Sequence, residues 1–222
     1  MNDDFRKLQE LLGKQEDLHP DLEEYLEQVN GMSMIRHPLV YSLSHVPQMN
    51  AWVNQQYERK RKSCQECLTK GDFQQLVWFH ERPYRLQAFE TVQQSMVDRE
   101  YWEFLGALWI ESENIYQNMD MWTRALTRTR GDRIYFMNDK EQVRFAALPD
   151  QVEIYRGHDG RNPNGLSWTL DAEKAAWFSR RLGQGKPMVA TRTVPREAIL
   201  AILDRRGEEE IVLLPSLKHV FR

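Results

Sequence analysis

The sequence predicts an α+β fold in two parts, a helical region over residues 1–130 and a smaller domain of short strands and helices over residues 131–222. Two observations carry that prediction. Apolar residues recur at three- and four-residue spacing through the first part, and from Gly131 onward short runs of strand formers alternate with turn residues. Size and composition bound it: 222 residues, 41% hydrophobic and 28% charged, can bury one good core or two small ones without staples.

In the first part Val53, Tyr57, Lys60, Cys64 and Leu68 fall at helical spacing, as do Phe73, Leu76, Val77 and His80. Trp102, Leu105, Leu108, Trp109, Tyr116, Met119 and Trp122 form a longer stripe of the same kind. Breaks are expected at Pro20, Gly31, Pro38, Pro47, Gly71 and Pro83. Cys64 and Cys67 have C-x-x-C spacing, but Cys64 lies on a helical stripe and no second Cys or His pair has ligand spacing, so they read as core cysteines rather than zinc ligands. His80 reads as a partly buried histidine with its ring satisfied, not as a ligand.

In the second part Arg133–Met137 is rich in strand formers, and Val152–Tyr155 alternates with period two up to Arg156-Gly157. A Gly, Asn and Pro loop, His158 to Gly165, leads to a strand at Leu166–Leu170, and Asp171 is placed to cap a helix Ala172–Leu182 in which Ala175, Phe178 and Leu182 share a face. Met188–Val194 reads as a strand, Pro195 opens a short helix through Leu203, and Ile211–Leu214 reads as the last buried strand.

The formal charge of -3 gives no global attraction to phosphate or anionic membranes. Nucleic-acid binding would need a local patch, either Glu58–Lys62 or Arg124, Arg128, Arg130 and Arg133, and a solvated helix face is the plainer reading of both. The first residues, MNDDFRKLQELL, lack the features of a signal peptide, and no apolar run approaches the ~18 residues of a membrane span. The expected compartment is the cytoplasm.

Residues 207–215 read GEEEIVLLP. Strand alternation puts Glu208 and Glu210 on one face and Glu209 on the other, although a polar loop ending where the strand begins would read the same way. Two further polar features sit at strand ends: Tyr155-Arg156-Gly157 and Ser167-Trp168-Thr169. No motif pairs Ser167 with a histidine, so a serine-nucleophile triad is not indicated.

In this order, with an aromatic nine residues after Thr169, the set resembles the Arg, Ser-x-Ser/Thr, Glu-x-Glu pattern of the mono-ADP-ribosyltransferases of the cholera-toxin and clostridial-toxin type. It is most similar to the short versions carried by bacteriophages and prophages, and the resemblance covers about residues 150–222. It implies a small, split, mostly antiparallel sheet that binds NAD as a substrate without a metal. It also implies transfer of ADP-ribose to a macromolecule with release of nicotinamide, the acceptor being a protein arginine.

By motif match, Glu210 grips a ribose hydroxyl as positive charge develops on the sugar, and Glu208 orients or deprotonates the acceptor. Arg156 contacts an NAD phosphate or the adjoining ribose, Gly157 lets the backbone approach the dinucleotide, Ser167 holds Glu210 in its rotamer, and Thr169 supports the strand end. Phe178 offers a face to nicotinamide, although a phenylalanine at helical spacing also reads as core, and Arg181 reaches the phosphates. The implied partner is a host or bacterial macromolecule, protein before nucleic acid, met in the host cytoplasm if the chain is phage-encoded. Trp168 stands where the toxins have a small polar residue, and only Asp204-Arg-Arg-Gly207 separates Leu203 from Glu208. The helical region is expected to cover one side of the cleft and to present the acceptor. Alternatives are a nucleic-acid acceptor, water as acceptor in an NAD glycohydrolase toxin, and an inert domain kept as an interaction module.

Overall fold

The computed structural model describes residues 16–113, 115–181, 185–205, 207 and 209–213. The chain forms two compact units, residues 1–92 and 93–222, so the division falls before the change of sequence pattern near Gly131. The class is α+β, with helices dominating the earlier part and antiparallel strands the later.

The first unit holds a sheet where helices alone were expected. After a single helical turn α1 (Pro20–Glu23), strands β1 (Leu26–Val29), β2 (Met32–His37) and β3 (Val40–Ser44) pair antiparallel in that order. The first reversal is made by Asn30 and Gly31, both with left-handed backbone (φ 51° and 80°), the pairing of residues that suits a tight hairpin turn. Ile35 is the one fully buried residue of β2 and packs with Leu22, Leu39, Val40, Val53 and Tyr57. The strands carry few β-branched residues and much polar surface, which is why they read poorly as strands.

Three helices follow: α2 (Asn50–Lys70), α3 (Phe73–Phe79) and α4 (Arg85–Val92). Gly71 ends α2 at φ 72°, and Asp72 then accepts from the Gln75 backbone N–H at 3.1 Å to start α3, so the break expected at Gly71 is a C-cap joined to an N-cap. On α2 Val53, Tyr57 and Cys67 are buried, Cys64 is half-buried and Leu68 is exposed; burial pushes both thiols upward in pKa. The basic run on this helix is paired with acids, Lys60 with Glu81 at 2.5 Å and Arg61 with Glu58 at 3.0 Å, as a solvated face would be.

In the second unit the tryptophan stripe is divided. Helix α5 (Asp98–Glu111) buries Trp102, Leu105, Leu108 and Trp109; the chain then breaks, leaves Tyr116 exposed, and resumes as α6 (Met119–Leu126), which buries Trp122. Arg133–Phe136 is a 3-10 turn rather than the expected strand. Its Phe136 ring packs edge-on against Trp102 and Trp109, and its backbone lies so close to Gly106 that a Cβ there would meet the Phe136 carbonyl oxygen at 2.3 Å. Burial of one aromatic against α5 outweighs local strand propensity.

Helix α7 (Asp139–Ala146) begins with a capping box, Asn138 accepting from Glu141 N at 3.0 Å and Glu141 accepting from Asn138 N at 2.8 Å. Strands β4 (Gln151–His158) and β5 (Ser167–Thr169), helix α8 (Ala172–Arg181), and strands β6 (Met188–Pro195), β7 (Ile199–Leu203) and β8 (Glu210–Leu213) complete the described chain. The helix expected from Pro195 to Leu203 is a 3-10 turn, Arg196–Ala198, followed by strand β7. All five residues of β7 are buried, and a short continuous apolar run carries no periodicity to separate strand from helix.

The sheet order is β6-β4-β5-β8-β7, every pairing antiparallel. β4 and β6 pair along their full length, but β4 meets β5 only at Tyr155 and Thr169. The sheet is therefore two ribbons joined at one point. Helix α8 packs on the β4–β6 ribbon, whereas α7 and the 3-10 turn pack on β7.

In the first unit, burial lowers the pKa of His37 and His80 below the ordinary 6.5; Asp21 opposes the shift at His37, and the Leu76 carbonyl oxygen, 2.9 Å from Nδ1, opposes it at His80. Because the folded chain then binds fewer protons than the unfolded one, its stability is full above about pH 6.5 and falls as the pH drops below that value. Urea unfolding between pH 8 and 5 is expected to show this loss, and His37→Asn with His80→Asn is expected to flatten it.

Candidate active site

The site forms where the two ribbons part. Beyond the Tyr155–Thr169 pair, β4 runs on through Arg156 and Gly157 while β5 returns through Trp168 and Ser167, and the two edges bound a cavity of about 490 Å³. Its wall contains Arg156, Gly157, Ser167, Thr169, Phe178 and Glu210, so six residues singled out in the sequence meet at one place. That volume lies in the range of roughly 300–1,000 Å³ usual for small-molecule and cofactor sites.

Glu210 is the first residue of β8 and faces Thr169 on one side and Leu203 on the other in the sheet register. Ser167 lies two positions along β5 on the same face, and its Oγ donates to Glu210 Oε1 at 2.5 Å. The indole Nε1–H of Trp109, from α5, donates to the same oxygen at 3.1 Å. The carboxylate is thus oriented by two side chains that reach it from different elements. Thr169 supports the chain that follows the strand. Its Oγ1 accepts from the Asp171 backbone N–H at 3.2 Å, and Asp171 caps α8 by accepting from Glu173 N and Lys174 N at 2.8 and 3.1 Å.

Arg156 is held by backbone carbonyls across the parting of the ribbons, Nε donating to Asn162 O at 3.0 Å and Nη1 to Ser167 O. Burial lowers its pKa from the ordinary arginine value, with the charge of Glu210 acting in the opposite direction. Gly165 leaves room for this guanidinium, since a Cβ there would lie 2.5 Å from Nη2. Arg156 therefore ties β4 to the Asn162–Ser167 return while keeping a positive charge near the Glu210 carboxylate.

The space on the Cβ side of Gly157 is taken by helix α8. A Cβ at 157 would lie 2.0 Å from Ala175 O and 2.6 Å from Ser179 N, so glycine is required for helix and strand to touch. This contact gives glycine a packing role at 157 in addition to its place on the cavity wall. On α8, Phe178 is half-buried and faces the cavity, as expected from its register with Ala175. Arg181 is not among the cavity-lining residues; its guanidinium stands 5.3 Å over the exposed ring of Trp177. Leu182, expected on the same face as Phe178, lies outside the described residues.

Glu208 also lies outside the described residues. β8 starts at Glu210, and Glu209 before it has left-handed backbone (φ 49°). Glu209 turns to Arg144 at 2.5 Å and Lys174 at 3.9 Å, and the other arm of Arg144 holds Asp204 at 2.6 Å. The short turn after β7 is thus pinned to α7, which also holds it through Glu141, bound to Asp204 N at 3.0 Å and Arg205 Nη2 at 3.1 Å.

Several wall and support residues escaped the motif reading. Trp109 lay on the helical stripe with no sign that its indole meets a carboxylate 101 residues away. Tyr116, 60% exposed, lines the cavity from the segment that joins α5 to α6, and Arg161, paired with Asp159 at 2.5 Å, lines it from the loop between β4 and β5. Arg161 holds the Asp159 carboxyl below the usual carboxylate range. Trp168 is buried, donates to Gly165 O at 2.7 Å and carries Arg192 5.0 Å over its ring, so it packs the return while also lining the cavity. Of the arginine cluster considered for nucleic acid, Arg130 is occupied inside the fold, donating to Met96 O and Gln93 O at 2.9 Å each and to Asp98 at 3.1 Å.

No family model, no curated protein and no solved structure matches the chain.

Gly157→Ala is expected to destabilise the protein by about 1–3 kcal/mol, because its methyl group would force α8 off β4. Urea unfolding at fixed pH measures the loss.

Proposed function

We propose that the chain cleaves NAD and transfers its ADP-ribose to a macromolecular acceptor, a protein arginine before any other. The observation that carries this reading is Glu210 on a cavity wall, its carboxylate oxygen held by Ser167 across β5 and β8, with the Arg156 charge nearby. It rests on the motif resemblance together with that juxtaposition.

The chemistry fits the residues. The bond between ribose C1′ and the nicotinamide nitrogen breaks with its electron pair going to the ring, so nicotinamide leaves neutral and no general acid is required. Positive charge develops on the ribose, and a fixed carboxylate that accepts from a ribose hydroxyl stabilises that charge where it forms. Arg156 supplies a positive charge toward the anionic pyrophosphate, and Phe178 supplies an apolar face for the nicotinamide ring. The acceptor nitrogen then bonds to C1′ and must lose a proton. In the resembled pattern this falls to the position of Glu208.

The short turn pinned by Arg144 and Glu141 limits the surface that could select a partner, so acceptor identity would be read from a few residues rather than from a large docking loop. No helix among the described residues is long and apolar enough to cross a membrane, in keeping with an acceptor met in a host or bacterial cytoplasm.

Purified protein incubated with bacterial lysate and NAD labelled in its ADP-ribose part is expected to label protein. Glu210→Gln should reduce labelling by roughly 100-fold or more, and Ser167→Ala by roughly 10-fold, as expected when a transition-state contact and its orienting donor are removed. Label in nucleic acid would change the acceptor class, free ADP-ribose alone would make water the acceptor, and untouched NAD would refute the enzyme.

A further inference from the structure

We infer that Trp109 is a positioning residue for the Glu210 carboxylate, so that helix α5 sets the catalytic geometry of a site whose motif residues all lie after residue 150. The inference rests on the reading of Glu210 as the ribose-binding carboxylate and goes beyond it, because nothing in the Arg, Ser-x-Ser/Thr, Glu-x-Glu pattern supplies a tryptophan.

The geometry is specific. Trp109 is 2% exposed, and its ring is locked edge-on between Trp122 (centroids 4.9 Å apart, 74° between planes) and Phe136 (6.2 Å, 67°). A buried indole N–H needs an acceptor, and this one has Glu210 Oε1 at 3.1 Å. Ser167 Oγ donates to the same oxygen. A hydroxyl can swing to follow its acceptor, whereas an indole clamped on two sides cannot. The indole therefore fixes where Oε1 sits, and the hydroxyl completes the arrangement.

Two donors on one oxygen remove the freedom of the carboxylate to rotate about its terminal bond and fix the direction of its second oxygen. A carboxylate that must meet a ribose hydroxyl only as charge develops gains from such preorganisation, since a displacement of about 1 Å can cost roughly 100-fold in rate. Trp109 acts through Glu210 and need not touch NAD.

Trp109→Phe keeps an aromatic ring in the cluster but removes the donor together with part of the indole volume, and Trp122→Phe, which loses the same volume from a neighbouring ring, serves as the packing control. In NAD-cleavage kinetics Trp109→Phe is expected to lower kcat by roughly 10- to 100-fold with KM for NAD changed less than about 2-fold, beyond any loss seen in Trp122→Phe. Combined with Ser167→Ala the effect should be less than multiplicative, because both donors serve one oxygen. Independently of activity, the indole N–H resonance of Trp109 should shift in Glu210→Gln. Wild-type kcat in Trp109→Phe, or a fall matched by Trp122→Phe, overturns the inference, as does an unmoved indole resonance. If the resonance shifts in Glu210→Gln but the wild-type protein leaves NAD intact, the proposed reaction is refuted and the contact is reduced to packing.

Discussion

A carboxylate at the start of a buried strand has to be held, and the hydrogen bonds that hold Glu210 organise everything around it. Glu210 stands between two buried strand partners, with Ile211 and Val212 following directly into the core. Left to itself it would turn to solvent. Ser167 and Trp109 hold it at the cavity wall instead, and each donor is itself placed by a larger element, the short strand β5 and the aromatic face of α5. The tryptophan cluster thus has two consequences at once: it closes the core of the second unit and aims a polar group.

The parting of the sheet supplies the room. Two ribbons joined at the single pair Tyr155–Thr169 leave β4 and β5 parted beyond it, and Arg156 bridges the gap by donating to Ser167 O on β5 and to Asn162 O in the preceding loop. Glycine at 157 is required by the same construction to admit the α8 backbone, and glycine at 165 leaves room for the guanidinium. A structural demand and a functional one fall here on the same residues, so loss of activity in an Arg156 variant would not by itself distinguish them.

What was legible in the sequence follows from what local chemistry can encode. The capped helix after Asp171, strands β4, β6 and β8, and the meeting of Arg156, Ser167 and Glu210 all rest on turn residues, alternation or a motif, and the described structure contains them. Three features could not be read that way. The hairpin strands of the first unit are short and polar, the run Ile199–Leu203 is buried throughout and so has no period, and Arg133–Phe136 follows the demand of one buried aromatic rather than its own propensity. Arg181 and Trp109 illustrate the same limit at the site. Spacing on a helix says which side a residue faces, and only packing says that one guanidinium will lie on a neighbouring tryptophan while one indole will meet a distant glutamate.

Glu210 is proposed to be the group that meets the ribose in this cavity. The most direct measurement is an experimental structure of the Glu210→Gln protein soaked with NAD, in which the weakened reaction lets the intact dinucleotide be seen. The account predicts nicotinamide against Phe178 and a hydroxyl of its ribose within hydrogen-bond distance of the residue 210 side chain. A dinucleotide bound elsewhere, or a cavity that takes up none at saturating NAD, would contradict it.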